Sequence, residues 1–210
     1  MNKYWIFDFD GTLIDSERHV RKTFLKITRE IAPERISFAE KVLIGPPLEE
    51  TAKEILGSSR IKHLKVFTDN FIKVHDNDIL RNTIPYANSK LTIKRLFEMG
   101  HKIAIATNKR KIPTLQIINY FGWNEFFFSV ECSDSCVKKR NKSEMIEDLF
   151  AKDINFKKAF FVGDTLGDCS AATSKNIKFI KANYGYGKNE KWGRMKIYKK
   201  INNIIEIIGI

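Results

Sequence analysis

The stretch YWIFDFDGTLIDS, from Tyr4 to Ser16, decides the fold of this 210-residue chain. Its first four residues are bulky and apolar, which is typical of a short buried strand, and the run ends abruptly at Asp8. Asp10 follows two positions later, and Gly11 allows a tight turn after it. The stretch therefore predicts a core strand with two aspartates at its carboxyl end.

Strands of the same kind alternate with helical segments in the C-terminal part of the chain. Strand patterns occur at 101–106, 126–130, 159–162 and 177–180, and helical patterns at 89–99, 113–121, 143–150 and 201–208. Strands that alternate with helices form parallel sheets that are covered on both faces. We therefore predict an α/β fold, a Rossmann-like parallel sheet with helices on both faces.

Residues 16–83 follow a different pattern. Apolar residues recur at helical spacing over 20–31, 48–56 and 61–74. A break at Gly45-Pro46-Pro47 divides the helical segments, and no convincing strand pattern occurs among them. The sequence thus predicts an all-helical insert, residues 16–83, in an α/β core made of residues 1–15 and 84–210.

Polar side chains cluster at the carboxyl ends of three predicted strands. They are Asp8, Asp10, Thr107, Asn108, Asp164 and Asp168. Ligands of open parallel sheets bind beyond these strand ends, so we expect the six side chains to converge on one crevice. Asp168 alone would be explained equally well as an acid at a helix N-terminus. Four carboxylates in one site repel each other unless a hard cation lies among them, which favours a Mg²⁺ site.

The motifs carry a family resemblance over nearly the whole chain. DFDGTLIDS (8–16), IAIATNK (103–109) and VGDTLGD (162–168) resemble three signatures of the haloacid dehalogenase superfamily, and more narrowly of its phosphoglycolate-phosphatase-like branch. The resemblance implies a Mg²⁺-dependent hydrolase of phosphate monoesters. It also implies that residues 16–83 form a helical cap over the site, with Gly45-Pro46-Pro47-Leu48 either a cap loop or an ordinary turn.

The resemblance implies separate roles for the two aspartates of the first motif. Asp8 matches the nucleophile that accepts the phosphoryl group as an aspartyl-phosphate. Asp10 matches the general acid that protonates the leaving alcohol and later deprotonates the attacking water. The backbone carbonyl of Asp10 is also expected to touch the metal.

The remaining motif residues match binding positions. Thr107 is expected to hold a phosphoryl oxygen through its hydroxyl, with the Asn108 amide beside it. Asp164 matches a metal-binding carboxylate, and Asp168 a supporting one. The expected metal ligands are thus Asp8, Asp10, Asp164 and Asp168.

The third signature of the family is a lysine that pairs with the nucleophile and the phosphate. The Lys-Pro-x-Pro of the branch is absent, but KKRNKSE (138–144) offers Lys138, Lys139 and Lys142. We favour Lys142 for catalysis and phosphate binding because it directly precedes the predicted helix. Lys139 is the alternative.

The charge of the chain is strongly basic, with a formal net charge of +12. Residues 175–200 hold nine Lys or Arg against the single acid Glu190, and aromatic residues are interleaved among them, as on a surface that binds nucleic-acid strands. A solvated basic edge that attracts anionic substrates is the simpler interpretation. We expect a small-molecule phosphate ester as the partner, while the basic segment leaves nucleic acid open.

Composition also bears on cellular location. No stretch approaches the roughly 20 apolar residues of a membrane helix, and the N-terminus lacks the pattern of a signal peptide. The three cysteines, Cys132, Cys136 and Cys169, are expected to be reduced thiols. The four histidines, His19, His63, His75 and His101, fit no metal or triad spacing and are expected to be structural. A cytoplasmic protein is expected.

Two alternatives to the phosphatase remain open. A sugar phosphomutase of the same superfamily would also keep Asp10, whereas a dehalogenase would not be expected to. A basic nucleic-acid-binding protein with a vestigial site is the second alternative. For the phosphatase, phosphoglycolate, a nucleotide or a sugar phosphate are candidate substrates.

Overall fold

The computed structural model describes residues 3–136, 139–152 and 158–210. Its strands are β1 (Tyr4–Phe7), β2 (Ile14–Asp15), β3 (Ile84–Pro85), β4 (Lys102–Thr107), β5 (Ser129–Cys132), β6 (Ala159–Gly163), β7 (Lys178–Ala182) and β8 (Lys199–Ile201). Its α-helices are α1 (Glu17–Ile31), α2 (Ile36–Ala39), α3 (Leu48–Arg60), α4 (Leu64–Asp78), α5 (Ser89–Glu98), α6 (Lys111–Tyr120), α7 (Lys142–Ala151) and α8 (Leu166–Ser174).

Six of the described strands form one parallel sheet in the order β5-β4-β1-β6-β7-β8. The strand before Asp8 therefore lies inside the sheet, where its four-residue apolar run is buried on both faces. Phe7, its last residue, pairs with Ile105 of β4 and Val162 of β6. This register brings the carboxyl ends of all three strands to the same edge.

The two faces of the sheet bury alternate side chains of the same strands, because successive residues of a strand point in opposite directions. Trp5 and Phe7 of β1 pack with apolar residues of α5 and α6. Ile6 packs with residues of α7 and α8 on the other face. Helices thus cover both faces, which confirms the predicted fold class.

The helical insert, called the cap below, has a hydrophobic cluster of its own. Val20, Phe24, Ile55, Phe67 and Phe71, from α1, α3 and α4, pack together in it. The short strands β2 and β3 pair antiparallel where the chain leaves and re-enters the core. Each such buried apolar side chain stabilises the fold by roughly 1.5–3 kcal/mol. The division at residues 16 and 83 stays a prediction.

Two elements of the core differ from expectation. The aromatic strand predicted at 126–130 begins later, as β5, because Asn124–Phe126 form a 3₁₀ turn. The closing helix predicted at 201–208 is wrong: β8 ends at Ile201, and only a 3₁₀ turn, Ile204–Ile207, follows. Its cap residue Asn203 accepts a hydrogen bond from the Ile205 amide and starts a new turn there.

Candidate active site

Three buried carboxylates meet beyond the ends of β1 and β6. Asp8 follows β1 and is 5% exposed, while Asp164, after β6, and Asp168, in α8, are fully buried. One oxygen from each lies within 4.8 Å of the others. The strand ends predicted to converge are therefore together.

The carboxylate of Asp164 is held by backbone amides. Its Oδ2 accepts hydrogen bonds from the amides of Tyr186, at 2.6 Å, and Gly187, at 3.2 Å. Gly11 has a φ of +81°, and a Cβ there would lie 2.5 Å from the same oxygen. The glycine after the two aspartates is thus needed both for its backbone conformation and for the space that it leaves to Asp164.

Asp168 serves chiefly to fix its neighbours. Its Oδ2 accepts from the amides of Asp164, at 3.1 Å, and Thr165, at 2.9 Å, and from the Thr165 hydroxyl at 2.8 Å. Thr165 and Asp168 form a capping box at the start of α8. The other oxygen, Oδ1, accepts from Lys142. Asp168 thus holds the backbone of Asp164 and Thr165 as well as Lys142, and its supporting role at a metal site stays a prediction.

Lys142 lies between two of the carboxylates. Its Nζ is 2.8 Å from Asp8 Oδ1 and also donates to Asp168, and its side chain is only 8% exposed. The alternative, Lys139, is 72% exposed and pairs with Glu49 of the cap. Lys138 lies outside the described residues. Of the two described candidates in this loop, Lys142 contacts Asp8 and Lys139 does not.

The position of Lys142 follows from the sequence around it. Asn141 caps α7 by accepting from the Glu144 amide at 3.0 Å, and Glu144 accepts from the Asn141 amide at 2.8 Å. This capping box starts the helix at Lys142. Arg140, the residue before Asn141, donates a hydrogen bond to buried Glu131 of β5 and so ties the loop to the sheet. Both anchors were missed in the sequence, although Asn-Lys-Ser-Glu is a recognisable capping box.

The electrostatics of the cluster favour an additional cation. Burial, helped by the nearby Asp168 carboxylate, raises the pKa of Asp8 to about 7 although Lys142 opposes the shift. Burial and the neighbouring carboxylates of Asp168 and Asp8 raise the pKa of Asp164 well above its usual value. Burial alone would lower the pKa of Lys142, but Asp168 and Asp8 raise it. One lysine thus faces three acids, so the donor set fits a hard divalent cation.

The Asp10 carboxylate, predicted as a fourth member, does not belong to this cluster of three; it lines a cavity together with Asp8. It accepts from the Ser16 hydroxyl and from Lys109 Nζ, which is 3.2 Å away. Lys109 is a site residue that sequence reasoning missed. The signal was its place directly after Thr107 and Asn108 in the second motif.

Thr107 and Asn108 line the same cavity as Asp8 and Asp10. The Thr107 hydroxyl, at the end of β4, accepts from the Lys109 amide at 3.2 Å. The Asn108 side chain instead donates to the carbonyl of Gly45 in the cap, at 3.0 Å. Asn108 therefore joins core to cap at the point where both meet the cavity.

This cavity, of about 80 Å³, lies between the core and the cap. Core residues supply its polar floor, and helices of the cap supply most of its apolar wall. It is far smaller than the roughly 300–1,000 Å³ typical of drug-sized ligands. The cavity therefore suits a small ligand that is bound between the core and the cap.

The cysteines and the basic segment, residues 175–200, lie outside this site. Within the described ranges, the three aspartates are the only cluster of potential metal ligands, and all three cysteines are free thiols.

In the basic segment, Lys178 lies over Tyr198 and Lys181 over Trp192, so these rings already face the chain's own lysines. No helix in the described part of the chain is long and apolar enough to cross a membrane.

Comparison with known proteins identifies the family of the chain. The family model of haloacid dehalogenase-like hydrolases matches residues 5–182. A phosphoglycolate phosphatase of Psychrobacter arcticus is 30% identical over 199 residues, covering 86% of this chain and 83% of its own. The pyrophosphatase PpaX of Listeria innocua is 28% identical over 180 residues, covering 84% and 80%.

Solved structures show the same fold. A predicted phosphatase from Clostridium acetobutylicum superposes with a TM-score of 0.83 at 23% identity, over 99% of this chain and 96% of that one. A predicted phosphoglycolate phosphatase from Haemophilus somnus gives 0.84 at 22%, over 99% and 97%. Because the family model matches most of its length and a relative is 30% identical over most of both chains, this chain belongs to the haloacid dehalogenase-like hydrolase family.

Proposed function

We propose that this protein is a phosphatase that hydrolyses small phosphate monoesters in the cytoplasm, with Asp8 as nucleophile and Mg²⁺ as cofactor. The observation that carries the proposal is the contact of Lys142 with Asp8 in a buried carboxylate cluster at the wall of a small cavity. A buried ammonium beside a carboxylate suits the binding of a phosphoryl group there. The names of the relatives, phosphoglycolate phosphatase and pyrophosphatase, support the same chemistry.

The reaction would proceed in two displacements. An oxygen of Asp8 forms a bond to phosphorus as the ester P–O bond breaks, and Asp10 gives its proton to the departing alkoxide. Water would then attack the phosphorus of the aspartyl-phosphate while Asp10 takes a proton from it. The bond between phosphorus and the Asp8 oxygen would break, which releases inorganic phosphate and restores the Asp8 carboxylate. Thr107, Asn108 and Lys142 would hold the phosphoryl oxygens during both steps.

The metal would be bound by the acids of the cluster. Asp8 and Asp164 offer carboxylate oxygens, Asp10 would contribute its backbone carbonyl, and Asp168 would support them. Bound Mg²⁺ would supply positive charge that offsets the repulsion between anionic Asp8 and an anionic phosphate.

The test is hydrolysis of 4-nitrophenyl phosphate with and without Mg²⁺. Activity should require the metal, disappear with a chelator and fall to background in Asp8→Asn, which keeps the size of the side chain but not its nucleophile. Asp78→Asn, which removes an exposed acid at the end of α4, should leave activity unchanged. Full activity of Asp8→Asn would overturn the proposal.

A further inference from the structure

We infer that the alcohol part of the substrate is short and carries no charge of its own, so that the site selects phosphate monoesters without a second anionic group. This inference rests on the proposed function and specifies the substrate class of the same site. Two observations carry it: the side chains that line the cavity beside Asp8 and Asp10, and the fact that each basic side chain among them is either paired with an acid or uncharged.

The side of the cavity that the cap forms is mostly apolar, and its polar side chains are Thr51 and His75. The cap contributes to it the side chains of Val20, Phe24, Ile44, Leu48 and Phe71. These residues belong to the cap's own hydrophobic cluster, so they are held in place by packing. An anionic group pressed against such a wall would lose its hydration without gaining hydrogen bonds, which is costly.

The basic side chains of the cavity are already paired. Lys109 is 3.2 Å from both carboxylate oxygens of Asp10, and its side chain is only 6% exposed. Arg110, at the start of α6, donates to both oxygens of Asp76 on α4 of the cap. Among the described residues that line this cavity, neither Lys nor Arg is left without a carboxylate partner. A carboxylate on the substrate would therefore have to break one of these pairs.

The histidine of the cavity adds no charge. His75 is 4% exposed, and its Nδ1 is 3.0 Å from the Asp76 carboxylate, to which it must donate because a carboxylate only accepts. Burial lowers the pKa of His75 to about 4, although the hydrogen bond that its Nδ1 donates to Asp76 opposes this. The imidazole is thus neutral near pH 7, and its Nε2 can accept a hydrogen bond from an uncharged hydroxyl.

Asp76 therefore occupies a key position in the cap. It neutralises Arg110 of the core and orients His75 at the same time. By holding the guanidinium, it withdraws the side chain best suited to bind a second carboxylate or phosphate. The names of two relatives refer to phosphoglycolate and pyrophosphate, and each of these compounds carries a second anionic group. We expect this chain to disfavour both.

The experiment compares two substrates that differ only in charge: 2-phosphoglycolate and its uncharged amide, phosphoglycolamide. With Mg²⁺ present, kcat/KM should be higher for the amide by about tenfold or more, since a buried unpaired charge costs well over 1.4 kcal/mol. Propyl phosphate should resemble the amide, and pyrophosphate should be the poorest of the four.

Two variants test the cause. Asp76→Asn frees Arg110 and should shift the ratio towards phosphoglycolate by about tenfold. Asp78→Asn removes an exposed acid from the same helix and should leave the ratio unchanged. The ratio is used because loss of the Asp76–Arg110 contact also weakens cap closure for every substrate.

The outcomes separate the two proposals. A wild-type preference for phosphoglycolate or pyrophosphate overturns the inference, while Mg²⁺-dependent hydrolysis of 4-nitrophenyl phosphate would still support the phosphatase. An unchanged ratio in Asp76→Asn overturns the role of the Asp76–Arg110 pair even if the wild type prefers the amide. If Asp76→Asn does not fold, the wild-type ratio alone decides the charge preference.

Discussion

Arg140 and Glu131 form a buried ion pair in which Nη2 and Oε2 are 2.9 Å apart, and Arg140 lies two residues before the site lysine. Arg140 also donates to the carbonyl of Cys132, at 3.1 Å, and to Asp148 of α7. The pair therefore joins the end of β5 to the loop and helix that carry Lys142. A fixed loop is what a buried ammonium needs to stay in contact with Asp8.

This pair predicts a stability effect away from the reacting groups. Glu131→Gln removes the buried carboxylate partner of Arg140 and leaves it only the partly exposed Asp148, so the free energy of unfolding should fall by about 2–3 kcal/mol. Urea denaturation followed by circular dichroism measures it. Glu147→Gln removes an acid that is 58% exposed and should cost less than about 1 kcal/mol. Similar losses in both variants would contradict the anchoring role.

The contact of Lys142 with Asp8 predicts that two lysines of the same loop differ in their effect on turnover. Lys142→Ala should depress turnover of an aryl phosphate by several orders of magnitude, because the buried phosphoryl site loses its ammonium. Lys139→Ala removes only an exposed pair with Glu49 and should cost little. Steady-state kinetics of the two variants decide this, and a reversed order would show that the assignment to Lys142 is wrong.

The different chemical roles proposed for Asp8 and Asp10 predict different transient kinetics. In Asp10→Asn, an activated aryl ester needs little protonation of its leaving group, so phosphorylation of Asp8 can proceed. Breakdown of the aspartyl-phosphate then lacks its base, whose help is typically worth about 10²–10⁴-fold. Rapid mixing should show a burst of one leaving group per enzyme and slow turnover after it.

The matched variant for this experiment is Asp8→Asn, which should show no burst because no acyl phosphate can form. Substantial Mg²⁺-dependent turnover by Asp8→Asn would instead indicate direct attack of water on the ester.

Burial of His75 predicts a pH dependence of stability. Its pKa falls from 6.5 to about 4 on folding, so between these values the unfolded chain binds the proton and the folded protein does not. The contribution of His75 to the free energy of unfolding is therefore complete above pH 6.5 and decreases as the pH falls. At pH 5 the decrease amounts to about 2 kcal/mol. In His75→Gln, the decrease in unfolding free energy between pH 7.5 and pH 5 should be smaller by that amount.

The control for this measurement is His63→Gln, at a histidine that is not buried. If His75→Gln and the wild type lose the same stability between the two pH values, His75 is charged in the folded protein, and the neutral imidazole assumed for the cavity is wrong.

The sequence by itself determined the sheet and the position of its acids. Short apolar runs that stop at Asp8, Thr107 and Asp164 are local signals, and parallel strands bring their carboxyl ends to one edge whatever the details of packing. The helical spacing of the cap is equally local. The closing strand β8 was missed because only one of its three residues, Ile201, is buried, so it has too little apolar pattern to be recognised.

Only the tertiary structure decided which basic side chain forms an ion pair with which acidic one. Lys109 pairs with Asp10 across 99 positions of sequence, and Arg110 pairs with Asp76 across 34. Long flexible side chains reach partners that local patterns do not specify, because an ion pair depends on distance in space and on burial rather than on spacing along the chain. The acids of the site could therefore be predicted from the motifs. The charge that the cavity offers to a substrate could not, since it depends on how the cap lies against the core.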